Sequence, residues 1–373
     1  MDIAVVIPLF NGELWIRQTL EAVFSQSKLP TEVIVVDDGS EDRSPEIVKS
    51  FSGAKLLRNP QKGCQFARNF GFQQTTASLV TFLDQDDIWH PDHLQILSSL
   101  LEQYPESSAA VAKDCLFTSD RDLVFSPPTV KPELFDPWNM FPLNQIHAPA
   151  SVLIRRSALE EIGGWTTQFW GGTDAYMWFR LSVCYPLVRN RSVTIGYRIQ
   201  DKSTSHQWRL QKAQSFFATV MISSETVLAD RIAVRPQEVD RLKKRLAVFR
   251  PMADVLKAVS NSDRTLLRSS ALELESALSD ESDQFTKLIC GMLWWYLTPG
   301  LTLGNLAQNQ GVIKIVQESW PRDVEKTTQL IPFHPRSSVS SKILLRYLLR
   351  NPWRLDLWGD FSNLLIARFA KSK

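Results

Sequence analysis

Residues 81–93 read TFLDQDDIWHPDH, an apolar strand pattern that ends in closely spaced acids. Asp84, Asp86 and Asp87 follow the apolar run directly, and Asp92 lies in the next predicted helix. An acid in the first turn of a helix is favoured by the helix dipole, which accounts for Asp92. The three acids before it need another explanation. Carboxylates at a strand end bind a divalent cation, act as acid or base, or cap a helix.

This strand belongs to a regular alternation of strands and helices over the first 110 residues. Apolar runs predict strands at 3–9, 32–36, 55–58 and 79–83, and helical spacing predicts helices at 14–25, 44–51, 65–75 and 91–103. Continuous apolar strands joined by right-handed helical crossovers form a parallel sheet covered on both faces. We therefore predict a doubly wound α/β layer.

Beyond this alternation the sequence changes character twice. Residues 119–149 are rich in proline and read as long loops that can close over a site. Further strands and helices follow. After about residue 206 the pattern is mostly helical, and it predicts separate helices at 236–249 and 252–259. We predict one domain over 1–206 and a helical C-terminal region over 207–373.

Composition and charge narrow the class of protein. The chain has 373 residues, of which 44% are hydrophobic and 22% charged, and these values are ordinary for a soluble globular protein. The net charge of +2 gives no indication of a nucleic-acid partner. Four cysteines are scattered without a CxxC pair, which argues against a zinc site and a disulfide framework. We expect reduced thiols and a cytoplasmic protein.

Three segments bear on membrane association. The N-terminus has no basic region before its short apolar run, so it reads as a strand and not as a signal peptide. Residues 288–304 are uncharged but contain Pro299, which favours a buried or interfacial helix over a membrane span. Residues 342–373 carry seven basic and two acidic residues among leucines and aromatics. They form either a peripheral contact with the inner face of the membrane or a helix packed on its own domain.

Three polar loops follow predicted strands, where a doubly wound sheet binds its ligands. They read PLFNGE, DDGSEDRS and DQDDIWHPD. Asp84 and Asp86 are separated by one residue, so in extended backbone both side chains face the same side and can address one cation. In the second loop, Asp37 or Asp38 can accept hydrogen bonds from a base or ribose, and the alternative is a plain turn that caps the next helix.

Four segments in this order resemble the nucleotide-binding half of family 2 glycosyltransferases with the GT-A fold. They read IPLFNGE, VVDDGS, NPQKGCQFARNFG and FLDQDDIWHPD. The resemblance covers about residues 1–206, with 1–110 as the nucleotide-binding half and 111–206 as the acceptor-side half. It implies a mixed α/β sheet and inverting transfer of a sugar from a nucleotide-diphospho-sugar donor. It also implies a divalent cation, Mg²⁺ or Mn²⁺, and a glycan or lipid-linked acceptor.

The resemblance assigns roles to individual residues. The nucleotide-binding positions are Pro8, Phe10, Asp37, Asp38, Lys62, Gly63, Arg68 and Asp84. Among them, Asp38 would bind the base and Asp37 would support its loop. Asp86 would be the direct metal ligand. A cation that bridges two phosphates stabilises the leaving group, and it needs protein carboxylates to hold it.

An inverting transfer also needs a base for the acceptor hydroxyl. The family has an acid followed by W-x-R at this place, and Asp174, Trp178 and Arg180 match that pattern. The family commonly has two adjacent acids here, whereas this chain has Thr173 in the first position. Asp174 is therefore the predicted base, and the alternative is a helix cap.

Further residues are assigned to the acceptor or diphosphate side. They are Trp165, Trp178, Arg180, Arg198, Lys202 and His206. The tryptophans, with Trp170, can stack on a sugar, and core packing is the alternative for Trp178. Arg198, Lys202 and His206 lie in GYRIQDKSTSH, which resembles the family segment that closes over the diphosphate.

Three other functions remain as alternatives. A nucleotidyltransferase also binds a nucleotide and a metal, but PLFNGELW lacks the glycine-rich basic loop of that class. A non-catalytic nucleotide-sugar-binding module would not need the full set of acids. A glycosidase uses paired carboxylates without a nucleotide pocket. We expect a glycosyltransferase involved in glycan or cell-surface polysaccharide synthesis.

Overall fold

The computed structural model describes residues 1–117, 123–126, 132–135, 146–168, 173–198, 234–260 and 264–278. The chain divides into two compact units, the first built from Met1–Gln207 and Glu225–Val239 and the second from Trp208–Ser224 and Asp240–Lys373. The predicted boundary at residue 206 remains a prediction. No helix in the described ranges is long and apolar enough to cross a membrane. The segments 288–304 and 342–373 lie outside those ranges.

Strands and helices alternate through the first unit. The strands are β1 (Ile3–Leu9), β2 (Glu32–Asp37), β3 (Ala54–Arg58), β4 (Leu79–Phe82), β5 (Ile88–Trp89), β6 (Ala109–Phe117), β7 (Glu133–Leu134), β8 (Val152–Arg155) and β9 (Leu187–Arg198). The helices are α1 (Ile16–Phe24), α2 (Ser44–Lys49), α3 (Cys64–Gln73), α4 (His93–Gln103), α5 (Arg156–Glu161) and α6 (Thr173–Cys184). The strands and helices predicted over the first 110 residues are confirmed, with ends that shift by up to two residues.

Among the described residues the strands form one sheet in the order β3-β2-β1-β4-β8-β6-β9-β5, with β7 paired to β9. The strands β1, β2, β3 and β4 are parallel, and β8 runs antiparallel to both β4 and β6. Because two reversals restore the direction, β6 and β9 point the same way as β1 to β4. The carboxyl ends of all these strands therefore lie along one edge, which we call the carboxyl edge.

The core explains why this sheet forms. Every residue of β1 and β4 is buried, and β-branched residues dominate the central strands. The apolar faces of α1 and α4 cover this core, with Ile16, Leu20, Leu94 and Leu97 fully buried. The loops at the carboxyl edge are thus held on rigid elements.

Two long helices follow at the end of the described chain, α7 (Pro236–Ser260) and α8 (Arg264–Leu278). The sequence pattern predicted a break near Pro251, between helices at 236–249 and 252–259. This prediction was wrong, because α7 continues through Pro251. Proline removes one backbone donor from a helix and strains its turn, but the rest of a long helix can retain its hydrogen bonds.

Candidate functional site

The loops after β1, β2 and β4 are joined by hydrogen bonds at the carboxyl edge. The backbone N–H of Asn11 donates to Ser40 Oγ at 3.0 Å, and Asn11 Oδ1 accepts from the N–H of Glu41 at 2.9 Å. The Gln85 amide bonds both backbone groups of Phe10, at 2.8 and 3.0 Å. Asn11 has a φ of 48°, which Asn tolerates better than most residues. The three loops therefore form one connected surface.

The two acids after β2 have separate partners. Asp37 Oδ1 accepts from the N–H of Ser40 at 2.8 Å, and Asp37 Oδ2 pairs with Arg58 at 2.6 Å. Burial raises the pKa of Asp37, but the hydrogen bonds from Ser40 and Arg58 outweigh it and lower the net pKa. Asp37 is thus an ionised group within its own turn.

Asp38 connects the β2 loop to the loop before α3. Its Oδ1 accepts from Asn59 Nδ2 at 2.6 Å and from the N–H of Gly63 at 2.8 Å. Gly63 has a φ of 132°, a conformation that L side chains rarely adopt. The Asp38 carboxylate therefore fixes the main chain from which Lys62 and α3 start.

Phe10 and Lys62 lie together above this turn. The Lys62 Nζ is 5.4 Å from the centre of the Phe10 ring, within cation–π distance. Phe10 is 45% exposed although it directly follows a fully buried strand, whereas Pro8 is buried. An exposed aromatic ring beside a lysine can accept a flat, anionic ligand.

A buried arginine connects α3 with the first acid after β4. The Nη2 of Arg68 is 2.5 Å from Asp84 Oδ1, and the guanidinium lies 4.4 Å from the centre of the Trp165 ring. Burial disfavours the charge of Arg68, but Asp84 outweighs this effect and raises the pKa of the guanidinium. Asn69 fixes Trp165 by bonding both of its backbone groups, at 2.8 and 2.9 Å.

The remaining acids of the loop differ in exposure. Asp84 and Asp86 are half-buried, whereas Asp87 is fully buried. Burial, followed by the charges of Asp86 and Asp84, raises the pKa of Asp87 well above its ordinary value. Asp87 Oδ1 accepts from the backbone N–H of Arg198 at 3.1 Å. The loop therefore concentrates negative charge, of which Asp84 and Asp86 carry the more accessible part.

The donor chemistry of this loop fits a hard divalent cation. Within the described ranges, no group of three or more His, Cys, Asp or Glu residues is arranged to hold a metal ion. Mg²⁺ is commonly held by one or two carboxylates together with substrate phosphates. Asp84 and Asp86 supply that number of carboxylates and fit a cation shared with a phosphorylated ligand.

Asp174 lies in the first turn of α6, near the start of α3. Gln65 Nε2 donates to Thr173 Oγ1 at 3.1 Å, which ties the two helix starts together. Burial raises the pKa of Asp174, a hydrogen bond from the N–H of Ala175 and the charge of Arg68 lower it, and the net pKa is raised. Asp174 and Asp84 both interact electrostatically with Arg68. The predicted base and the predicted metal-binding loop thus share one buried cation.

Two of the three tryptophans assigned to sugar stacking, Trp165 and Trp178, are buried. Trp165 is 2% exposed and Trp178 is 0% exposed, and their rings meet edge to face with centroids 5.5 Å apart. For Trp178 the structure supports the alternative of core packing. Trp165 offers one ring face to Arg68. Arg180 lies on the Tyr176 ring at 5.1 Å.

Arg198 ends β9 and lies behind the acidic loop. Its guanidinium contacts Gln18, the carbonyl oxygen of Asp86 and two aromatic rings. Trp170, Lys202 and His206 lie outside the described residues. The roles assigned to individual residues from the sequence remain predictions.

Several residues that build the site carry no signal in the sequence pattern. Gln85, Asn69 and Thr19 hold loop backbone through single side-chain groups. Polar residues of this kind occur throughout helices and loops. Of these three residues, only the position of Gln85 between Asp84 and Asp86 indicates a place in the site.

Part of the chain that carries this geometry matches the model of a known protein family. Residues 4–163 match the model of glycosyl transferase family 2. The family predicted from the four ordered motifs is thus confirmed.

The curated proteins that this chain resembles include two glycosyltransferases and a protein named for teichoic acid biosynthesis. The chain is 33% identical over 106 residues to Glycosyltransferase GlyA of Streptococcus pneumoniae, covering 27% of this chain and 15% of GlyA. It is 24% identical over 212 residues to an uncharacterized glycosyltransferase of Rickettsia typhi, covering 55% and 66%. It is 34% identical over 102 residues to Minor teichoic acid biosynthesis protein GgaA of Bacillus subtilis, covering 25% and 23%. The chain spans less than two thirds of each of these relatives.

Among solved structures the fold is similar to that of S. aureus TarS. The structure of TarS residues 1–349 in complex with UDP-GlcNAc has a TM-score of 0.54 and 15% sequence identity, covering 97% of this chain and 91% of that chain. The complex with UDP has a TM-score of 0.53 and 15% identity, covering 88% and 91%. This likeness shows the fold, and the predicted GT-A architecture is confirmed.

Proposed function

We propose that this chain transfers a sugar from a nucleoside diphosphate donor to an acceptor hydroxyl with inversion at the anomeric carbon. The observation that carries the proposal is the shared cation Arg68, which pairs with Asp84 and acts electrostatically on Asp174. A donor between these two acids would have its diphosphate near Asp84 and its anomeric carbon near Asp174. The family 2 match over residues 4–163 supports this reading.

The donor nucleotide is proposed to bind across the loops after β1, β2 and β3. The exposed Phe10 ring and Lys62 offer a stacking face and a positive charge. Asp38 offers a carboxylate, although it also holds Asn59 and Gly63. TarS has been crystallised with UDP-GlcNAc, so this compound is the first donor to test.

Asp84 and Asp86 are proposed to hold the divalent cation, Mg²⁺ or Mn²⁺, with Asp86 as the direct ligand. When bound, such a cation stabilises the negative charge that develops on a departing diphosphate. Arg68 holds the Asp84 side chain in place through a direct ion pair, with Nη2 2.5 Å from Oδ1. The protein thus supplies the carboxylates, and the donor supplies the phosphate oxygens.

Asp174 is proposed as the general base. It takes the proton of the acceptor hydroxyl while the acceptor oxygen bonds to the anomeric carbon. The bond from that carbon to the diphosphate breaks, and the nucleoside diphosphate leaves with the bonding electrons. A carboxylate with a raised pKa is the stronger base, so burial of Asp174 favours this step. The tie between Gln65 and Thr173 holds the start of α6 in place.

The test is Asp174→Asn, assayed by release of UDP from UDP-GlcNAc and Mn²⁺, with water as the acceptor. Loss of a general base costs about 10²- to 10⁴-fold in turnover. We expect that loss with an unchanged melting temperature and unchanged binding of UDP with Mn²⁺. Turnover near that of the wild type in a folded Asp174→Asn variant would remove Asp174 from the mechanism.

The acceptor is proposed to be a glycan or a lipid-linked glycan near a membrane. GgaA is named for minor teichoic acid biosynthesis, and residues 342–373 carry seven basic against two acidic residues. A basic segment with aromatic residues binds anionic lipid surfaces. Deletion of 342–373 should abolish co-sedimentation with anionic vesicles. Unchanged co-sedimentation would exclude this segment as the membrane contact.

A further inference from the structure

Arg198 is the last residue of β9, and its side chain is enclosed by protein. It is 4% exposed, and the guanidinium lies between two aromatic rings. The Cζ atom is 4.0 Å from the centre of the Trp15 ring and 4.3 Å from that of Phe117. Arginine stacks on aromatic faces and is more weakly hydrated than lysine, so it tolerates this burial. The guanidinium is a fixed group of the domain interior.

Its polar contacts converge on the acidic loop after β4. The Nε of Arg198 donates to the carbonyl oxygen of Asp86 at 3.0 Å, and its backbone N–H donates to Asp87 Oδ1 at 3.1 Å. The Nη2 donates to Gln18 Oε1 at 2.7 Å, which ties the same guanidinium to α1. One residue therefore connects the loop to both β9 and α1.

Thr19 acts on the same stretch of main chain from α1. Its hydroxyl lies 2.8 Å from the carbonyl oxygen of Gln85 and 3.1 Å from that of Asp87. Together, Thr19 and Arg198 contact the carbonyl oxygens of three consecutive residues, 85 to 87. Most loop carbonyls in proteins face water, so this coverage is more than a surface loop needs.

The loop has a physical reason to need this support. Asp84, Asp86 and Asp87 lie within four positions, and their like charges repel one another. A hydrogen bond from a buried cation to a carbonyl oxygen is stronger than a neutral one. Arg198 therefore holds the backbone of Asp86 against a repulsion that would otherwise displace its carboxylate.

We propose that Arg198, together with Thr19, is a positioning residue that holds the main chain of Gln85, Asp86 and Asp87 and so presents Asp86 to the donor's cation. This inference rests on the proposed function of the same loop. It replaces the role on the acceptor or diphosphate side that the sequence suggested for Arg198, because the guanidinium is enclosed between Trp15 and Phe117. Arg198 acts through Asp86 and does not touch the reacting atoms.

The test compares Arg198→Lys and Thr19→Val with the matched control Arg156→Lys. Arg156 also lies on an aromatic ring, that of Phe72 at 4.5 Å, and also bonds carbonyl oxygens, those of Thr75 at 2.6 Å and Ala77 at 2.8 Å. These carbonyls precede β4 and lie at the opposite edge of the sheet. The control thus reproduces the kind of contact without the acidic loop.

The readouts are Mn²⁺ affinity in the presence of UDP, measured by calorimetry, and the Mn²⁺ concentration for half-maximal UDP-GlcNAc hydrolysis. Loss of a residue that orients metal ligands costs about 10- to 100-fold in metal affinity or activity. We expect weaker Mn²⁺ binding by about tenfold in Arg198→Lys and Thr19→Val, with turnover at saturating Mn²⁺ changed much less. Arg156→Lys should leave both readouts unchanged.

Two results would overturn the inference while leaving the proposed function intact. One is wild-type Mn²⁺ affinity in both loop variants, and the other is an equal loss in Arg156→Lys. If Arg198→Lys does not fold, the nearly isosteric Thr19→Val decides the question. A wild-type chain that binds neither UDP nor Mn²⁺ would instead refute the proposed function, and with it the role of Arg198.

Discussion

The two edges of the sheet use arginine in the same way and carry different loops. At the carboxyl edge, Arg198 ends β9 and holds the carbonyl oxygen of Asp86. At the opposite edge, Arg155 ends β8 and holds the carbonyl oxygens of Leu101 and Ser107 at 2.7 and 2.8 Å. In both arrangements, an arginine at the end of a strand holds the main chain of a neighbouring segment. Only at the carboxyl edge does the fixed chain bear clustered acids, so the chemistry lies in the loop and not in the arginine contact.

The largest expected difference between the edges comes from removing one carboxylate at each. Asp86→Asn should lower UDP-GlcNAc hydrolysis with Mn²⁺ by about 10²-fold, the usual cost of losing one group that stabilises charge in a transition state. Glu160→Gln, which removes the exposed partner of Arg156 at the opposite edge, should change it by less than about twofold. Equal effects in the two variants would contradict the assignment of function to the carboxyl edge.

The pH dependence of turnover should also distinguish the carboxyl edge from the opposite edge. Burial raises the pKa of Asp174, whereas hydrogen bonds from Ser78 lower the pKa of Asp2 at the opposite edge. The base must be deprotonated to act, so turnover should rise with pH and reach its half-maximum above the ordinary Asp value of 3.8. The rate of UDP release between about pH 4 and pH 8 measures this limb. Asp2→Asn should leave the limb in place, and a limb at or below 3.8 in the wild type would refute the prediction.

The smallest expected effects come from replacing two arginines whose side chains are equally exposed, one beside the site and one away from it. Arg58 pairs with Asp37 beside the site and Arg191 pairs with Glu133 away from it, and both arginine side chains are 69% exposed. Each substitution to Gln should cost less than about 1 kcal/mol of unfolding free energy, because water screens the exposed arginine of each pair. Only Arg58→Gln should weaken UDP binding, by about twofold, since Arg58 supports the turn after β2.

The pKa of Asp37 determines how the stability loss in Arg58→Gln changes with pH. The folded-state pKa of Asp37 is lowered, so its contribution to stability is present above the unfolded value and is lost as pH falls through the folded value. The deficit of Arg58→Gln in urea unfolding should therefore be seen at neutral pH and shrink below the ordinary value of 3.8. A deficit that grows in acid would contradict the role of this pair.

The sequence predicted the central strands well because burial on both faces leaves a simple pattern. Ile3–Leu9 is apolar except for Pro8 and is buried throughout, so its limits were correct. Strand β5 was missed because two residues carry no period, and it forms only by pairing with Gly196 and Ile195 of β9. The helix at α7 was split wrongly at Pro251, since proline lowers helix propensity without always ending the helix.

The sequence predicted the site residues whose function depends on being acidic. It did not predict the residues whose role depends on where the side chain points in the folded protein. Asp38, Asp84 and Asp174 carry charge at strand ends or helix starts, and the sequence shows such positions directly. The surroundings of Arg198 depend on Trp15 and Phe117, which are more than 80 residues away in the chain. A tryptophan that packs in the core and one that stacks on a sugar look the same in sequence.

The most direct test of the central claim is the melting temperature of the full chain with UDP-GlcNAc and Mn²⁺. A ligand that binds only the native state raises this temperature. The account predicts a rise when both compounds are present, retained in Glu160→Gln and lost in Asp84→Asn. No rise in the wild type with UDP-, GDP- or other nucleotide-sugars, or an undiminished rise in Asp84→Asn, would contradict the claim that the carboxyl edge binds the donor.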